Sequence, residues 1–198
     1  MTGVVNRGNL FAALCGAILI SAVMTAILGG QIGRRAAILS QGSQVLLSIR
    51  PVDPRDLLRG EYVALSPDID RVPADLVKDK PSDAGGQQVL RVRLKPTAEG
   101  ETWQIAEAAF DRLEPQDGTV VIESLPFDPP RETAGSARDY HVRYGIERFY
   151  LPEGEGPRVE AAARAKPLML GVRVDDAGRA QVESLFIDGE PVYTVGSE

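Results

Sequence analysis

The densest set of groups able to do chemistry is Asp53-Pro54-Arg55-Asp56-Leu57-Leu58-Arg59-Gly60-Glu61-Tyr62, where guanidinium and carboxylate groups crowd one short stretch. An arginine presents a planar fork that matches a carboxylate or phosphate, so Arg55 and Arg59, flanked by Asp56, Gly60, Glu61 and Tyr62, would serve as a pocket for a ligand or partner. The same residues fit a charge-latched corner. Pro51 and Pro54 fix the start of a tight turn, Gly60 offers a positive φ at its exit, and the charges pair locally. A further carboxylate, Glu147, lies in YGIERFYLPEGEG. Strict alternation there puts Tyr144, Ile146, Arg148 and Tyr150 on one face and Gly145, Glu147, Phe149 and Leu151 on the other. A carboxylate beside Phe149 must pair or be protonated, and an Arg–Glu latch with Arg55 or Arg59 is the expected solution.

Other chemistries fail on inventory. His141 is the single histidine and Cys15 the single cysteine, so no tetrahedral nitrogen and sulfur set for zinc can be assembled. Ser66-Pro67-Asp68-Ile69-Asp70 with Asp75 brings three carboxylates close, but the offsets and turn glycine of a calcium loop are missing, and a solvated turn capping a helix at Pro73 is expected instead. A serine hydrolase triad would have to recruit His141, and no G-x-S-x-G elbow is present. A serine–lysine pair through Ser66 needs a buried lysine, whereas Lys78, Lys80, Lys95 and Lys166 all sit in polar contexts. No cofactor and no metal are expected.

Two very different segments must position these groups. All 14 prolines and all 28 acidic residues lie at or beyond Pro51. From Gly8 to Gly33 no side chain is charged, and Leu10–Leu28 is an apolar run of 19 residues. As a helix it spans roughly 29 Å, the thickness of a bilayer core. The run exceeds the roughly 7–15 apolar residues of a cleaved signal peptide, and no small-x-small cleavage site follows it, so a retained anchor is expected. Arg7 on one side nearly balances Arg34 and Arg35 on the other, so flanking charge does not decide the orientation. After Arg35 there are 19 basic and 28 acidic residues, a net charge of −9 that excludes a nucleic-acid partner.

The remainder reads as β structure. Gly and Pro are frequent, and period-two patterning marks Gln88–Lys95, where Leu90, Val92 and Leu94 point inward and Arg91, Arg93 and Lys95 form a wet basic face. A turn then leads into TWQIAEAAF. Leu168–Val174, a DDAG turn, Arg179–Ile187, an Asp188-Gly189 turn and PVYTV make successive hairpins. TVVIESL and HVRYGIERFYL add strands, seven to nine in all, with short helices at Pro73–Lys78 and Arg158–Lys166. The expected organisation is a tail (1–9), a transmembrane helix (10–33), a connector (34–43) and an extracytoplasmic domain (44–198). That domain is expected to be mostly β, an antiparallel β sandwich or partly open barrel with one or two short helices.

PVDPRDLLRGEYVALSPDI, with YGIERFYLPEGEG and LFIDGEPV downstream, resembles the GDYXXLXY family of bacterial membrane-associated proteins. Gly60, Tyr62 and Leu65 match the naming motif, Glu61 replaces its Asp and Pro67 its final Tyr. The resemblance implies an anchored, periplasmic domain of the inner membrane. It also implies a multi-pass membrane protein as partner, and no assigned activity. The function expected is therefore binding or stabilising such a partner, without catalysis. The alternatives are a module for an anionic small ligand or glycan and a membrane-anchored hydrolase.

Overall fold

A computed structural model describes residues 7–50, 62–79, 81, 85–130, 139–150, 159, 161 and 166–194. The chain divides into two units, Met1–Ala37 and Ile38–Glu198.

The first unit is helical. Helix α1, Arg7–Gln41, runs unbroken for 35 residues and continues past residue 37, so the segment read as a connector is helical as far as Gln41. Its stretch Cys15–Gln41 is long and apolar enough to cross a membrane, and none of its most apolar window is buried. Ile18, Leu19, Ile20, Met24, Leu28 and Ile32 all face outward from the protein. A helix apolar all round with no protein covering it is suited to hydrocarbon. It ends at Gly42, whose N–H donates to the Ile38 carbonyl at 2.9 Å. A Cβ at Gly42 would lie 2.5 Å from that carbonyl oxygen and 3.0 Å from the Val174 carbonyl oxygen, so only glycine fits.

The second unit is β. Strand β1 (Ser43–Arg50) starts directly after Gly42 and alternates Val45, Leu47 and Ile49 into the core. It pairs antiparallel with β10 (Leu168–Val174), from Ser43 opposite Val174 to Ile49 opposite Leu168. β10 continues by hairpin into β11 (Ala180–Ile187), and β11 into β12 (Glu190–Thr194). Asp188 and Gly189 both have positive φ, as a two-residue hairpin turn requires. With β3 (Ser66–Pro67) on the far side of β1, the order is β12-β11-β10-β1-β3.

A three-stranded sheet, β6-β5-β7, is built from β5 (Arg91–Pro96), β6 (Trp103–Ala109) and β7 (Val120–Glu123). Two short pairs complete the set: β2 (Tyr62–Ala64) with β9 (Arg148–Tyr150), and β4 (Arg71–Val72) with β8 (Tyr140–His141). All these pairings are antiparallel, and among the described residues the sheets are open, with no closed barrel. One core joins them, with Leu47, Ile69, Leu94, Ile122, Ile146 and Leu170 almost fully buried.

The structure departs from the sequence pattern in three places. Short linking strands raise the described total to twelve, because β2, β3, β4 and β8 are too brief to show a period. The helix expected at Pro73–Lys78 is a single 3-10 turn, Ala74–Leu76, and no side chain caps it. At 158–165 only Val159 and Ala161 are described, both helical, with Val159 buried. The third departure is Arg93, which is buried and not part of a wet face.

Candidate functional site

The corner at 51–61, which holds Arg55, Asp56, Arg59, Gly60 and Glu61, lies outside the described residues. Its continuation is described. Tyr62 opens β2 opposite Tyr150, and Ala64 lies opposite Arg148. Leu65 is buried in the core, and its N–H donates to the Glu147 carbonyl at 2.9 Å. Ser66 and Pro67 then cross to β1, opposite Arg50 and Ile49. Residues 62–67 therefore hand the chain from one sheet to another.

Glu147 acts inside its own turn. Its carboxylate oxygens accept from the Tyr144 N–H at 2.5 Å and from the Gly145 N–H at 3.0 Å. Gly145 has φ +81, so the chain bends there and the continuous alternation expected over 144–151 gives way to a turn followed by β9. Tyr144, Ile146 and Phe149 are all buried as a result. The arginines expected as partners of Glu147 are outside the described residues, while the two amide donors satisfy the carboxylate locally. The Tyr144 hydroxyl donates to the Ile69 carbonyl at 2.9 Å. Burial, reinforced by the charges of Asp70 and Glu147, raises its pKa far above the ordinary 10, so it serves as a neutral donor.

A described concavity lies elsewhere, a cleft of about 760 Å³ on the second unit. It is lined by β7, by the segment 110–119 that follows β6, by the turn at 174–178 and by Ser43. Each wall is fastened to the sheet below. Arg93 donates from Nη2 to the Glu114 carbonyl at 2.6 Å, from Nη1 to Thr119 Oγ1 at 3.0 Å and from Nε to Glu107 at 2.7 Å. The Asp79 carboxylate accepts the N–H groups of Phe110 and Asp111, both at 2.7 Å. Arg91 pairs with Glu123 at 2.8 Å and donates to the Phe110 carbonyl at 2.8 Å. Lys78 and Arg93 both bond Glu107, and those bonds hold its carboxyl below the usual 4.5.

The opposite wall is a turn closed by Asp175, which accepts the Arg179 N–H at 2.9 Å and pairs with the Arg179 guanidinium at 2.6 Å. The Glu123 N–H donates to the Gly178 carbonyl at 2.8 Å, stitching this turn to β7. Between the walls the surface is mixed. Leu113, Val120 and Val121 are half-buried, and Asp111, Asp117 and Asp176 are exposed beside them. Among the described residues these three carboxylates have no ion-pair partner. Such a surface accepts aliphatic stems that end in positive charge.

The remaining chemical candidates disperse. Among the described residues no group of three or more His, Cys, Asp or Glu is arranged to hold a metal ion. His141 sits exposed on β8. Lys78 pairs with Glu107, and Lys166 with Asp188 at 2.7 Å, which pushes the Lys166 ammonium above its ordinary 10.5. That direction is opposite to what a lysine base requires. Lys95 is exposed, and Lys80 lies outside the described residues.

A family model described as GDYXXLXY protein matches residues 24–185, most of the chain. The chain belongs to the GDYXXLXY family. Comparison with curated proteins and with solved structures found no match. The matched span contains the second half of α1, the naming motif and both walls of the cleft. In this GDYXXLXY chain the described part of the motif has a structural place: Tyr62 starts a strand, Leu65 fills the core and Pro67 ends the ladder on β1. Proline has no N–H to donate, which suits the outer strand β3. The cleft is the feature that sequence reasoning missed. Its signals were two acidic turns, EPQDG and DDAG, which lie far apart in sequence and meet only once β7 and the β10–β11 hairpin are folded.

Proposed function

We propose that the protein is an inner-membrane-anchored domain whose β unit faces the periplasm or cell exterior and binds or stabilises a multi-pass membrane protein, without catalysing a reaction. The observation that carries this reading is α1: an unbroken helix whose most apolar window is left uncovered by protein, and which continues without a break as far as Gly42 and β1. A single span holds a domain at the membrane surface, where its surroundings are other membrane proteins and lipid headgroups. The negative charge after Arg35 keeps that domain from anionic lipid and directs it toward protein. An anionic ligand has less support from the described residues, because Arg91 and Arg93 are taken up by Glu123 and Glu107.

Placement is tested with a full-length Cys15→Ser, Glu99→Cys variant. Glu99 is exposed at a hairpin tip. A membrane-impermeant maleimide should label it in intact spheroplasts, and the protein should stay with membranes in alkaline carbonate. Labelling only after lysis, or release by carbonate, would contradict the reading.

A further inference from the structure

We infer that the cleft between segment 110–119 and the 174–178 turn is the docking groove for an extended, lysine- or arginine-bearing segment of the partner protein. This rests on the partner-binding reading and names its surface. Three features choose the occupant. The surface between the walls is mixed, and its apolar members Leu113, Val120 and Val121 are only half covered. Its margin carries Asp111, Asp117 and Asp176, exposed and without ion-pair partners among the described residues. Of the cations close by, Arg91 is engaged by Glu123 and the Phe110 carbonyl and Arg179 by Asp175, while exposed Arg112 pairs with Glu114 at 4.0 Å and is outnumbered by the carboxylates of the lining. An aliphatic stem lies on such a surface while its charged head reaches the carboxylates, which describes lysine and arginine and no other side chain.

The groove is also firmly built. Arg93, Asp79 and the Glu123–Gly178 hydrogen bond hold both walls, so little ordering is required when a segment binds.

The test uses the full chain in neutral lipid nanodiscs and a fluorescein-labelled peptide of alternating Leu and Arg, with an alternating Leu and Glu peptide as comparison. The Arg peptide should bind more tightly as salt is lowered, and the Glu peptide should not bind. Asp111→Asn, Asp117→Asn and Asp176→Asn together should weaken the Arg peptide roughly tenfold or more, each exposed pair contributing a small share. A Glu99→Gln, Glu101→Gln variant should leave it unchanged. A second route avoids charge: Val121→Trp, which narrows the groove, should weaken binding at all salt concentrations, with the β fold checked by circular dichroism. Equal binding by the wild type and the triple variant would overturn the inference.

Crosslinking in cells separates the two claims. A multi-pass protein captured equally by the wild type and the triple variant removes the groove and keeps the partner. Peptide binding lost in the triple variant, with no membrane protein captured in cells, keeps the groove's chemistry and removes the partner reading.

Discussion

Replacing Gly178 by alanine places a methyl group where the structure has no room and the backbone no tolerance. Gly178 has φ +79, and a Cβ there would lie 2.7 Å from Glu123 Cγ and 3.0 Å from the Glu123 nitrogen. The left-handed conformation alone costs an L-residue about 1–2 kcal/mol. The methyl also pushes apart the Glu123 N–H and the Gly178 carbonyl, whose hydrogen bond contributes about 1 kcal/mol. Together with the crowding of Glu123, Gly178→Ala should destabilise the β unit by about 2–4 kcal/mol. Gly100 is the internal control, because it has φ +77 but no atom within 4 Å of its Cβ position. Gly100→Ala should show the conformational cost alone, about 1 kcal/mol. Urea unfolding in mild detergent, followed by fluorescence of Trp103, reads the β unit selectively, since Trp103 is the single tryptophan and packs against its core. If the two variants differ by less than about 0.5 kcal/mol, the close approach of turn and strand is wrong, and so is the width of the cleft they frame.

Arg93→Met should cost about 3 kcal/mol in the same unfolding assay, because it leaves Glu107, Thr119 and the Glu114 carbonyl without the guanidinium they share. An effect below about 1 kcal/mol would contradict the fastening of the 110–119 wall. Glu107 is held below its ordinary 4.5 by bonds to Lys78 and Arg93, so its contribution is complete above the unfolded value and is lost as pH falls through the depressed folded one. Glu107→Gln should therefore lower stability at neutral pH and flatten the acid limb of the stability curve; parallel curves would refute this. Tyr144→Phe should cost about 1–2 kcal/mol by leaving the buried Ile69 carbonyl unpaired. In the folded wild type the Tyr144 phenol should stay protonated while accessible tyrosines ionise near pH ~10, seen as phenolate absorbance that completes only on unfolding.

The C-terminal hairpins are the most legible part of the chain. Leu168, Leu170, Val172 and Val174 alternate cleanly, and Asp188-Gly189 is a two-residue turn by composition alone, so β10, β11 and β12 follow from local rules. Arg93 reads like Arg91 and Lys95 on the same strand, yet a loop folds back over it and, together with Glu107 of β6, supplies an acceptor for each nitrogen, which no period can foretell. Glu147 reads as a carboxylate in need of partners, but the turn made by Gly145 supplies them from the backbone. The charged corner, with Arg55, Asp56, Arg59, Gly60 and Glu61, is prominent in sequence and lies outside the described residues. The cleft is hidden in sequence for the opposite reason: Ser43, Asp111, Asp117 and Asp176 lie far apart along the chain and are gathered only by the tertiary fold.

The most direct test of partner binding at the groove places a photocrosslinking amino acid at Val121, on its floor, in the full-length protein expressed in its own cells. Irradiation followed by mass spectrometry should identify a multi-pass membrane protein, joined through an extracytoplasmic segment that carries lysine or arginine. The adduct should disappear when Asp111, Asp117 and Asp176 are changed to asparagine. Crosslinks confined to soluble cytoplasmic proteins, or no intermolecular adduct at all, would contradict binding at this surface.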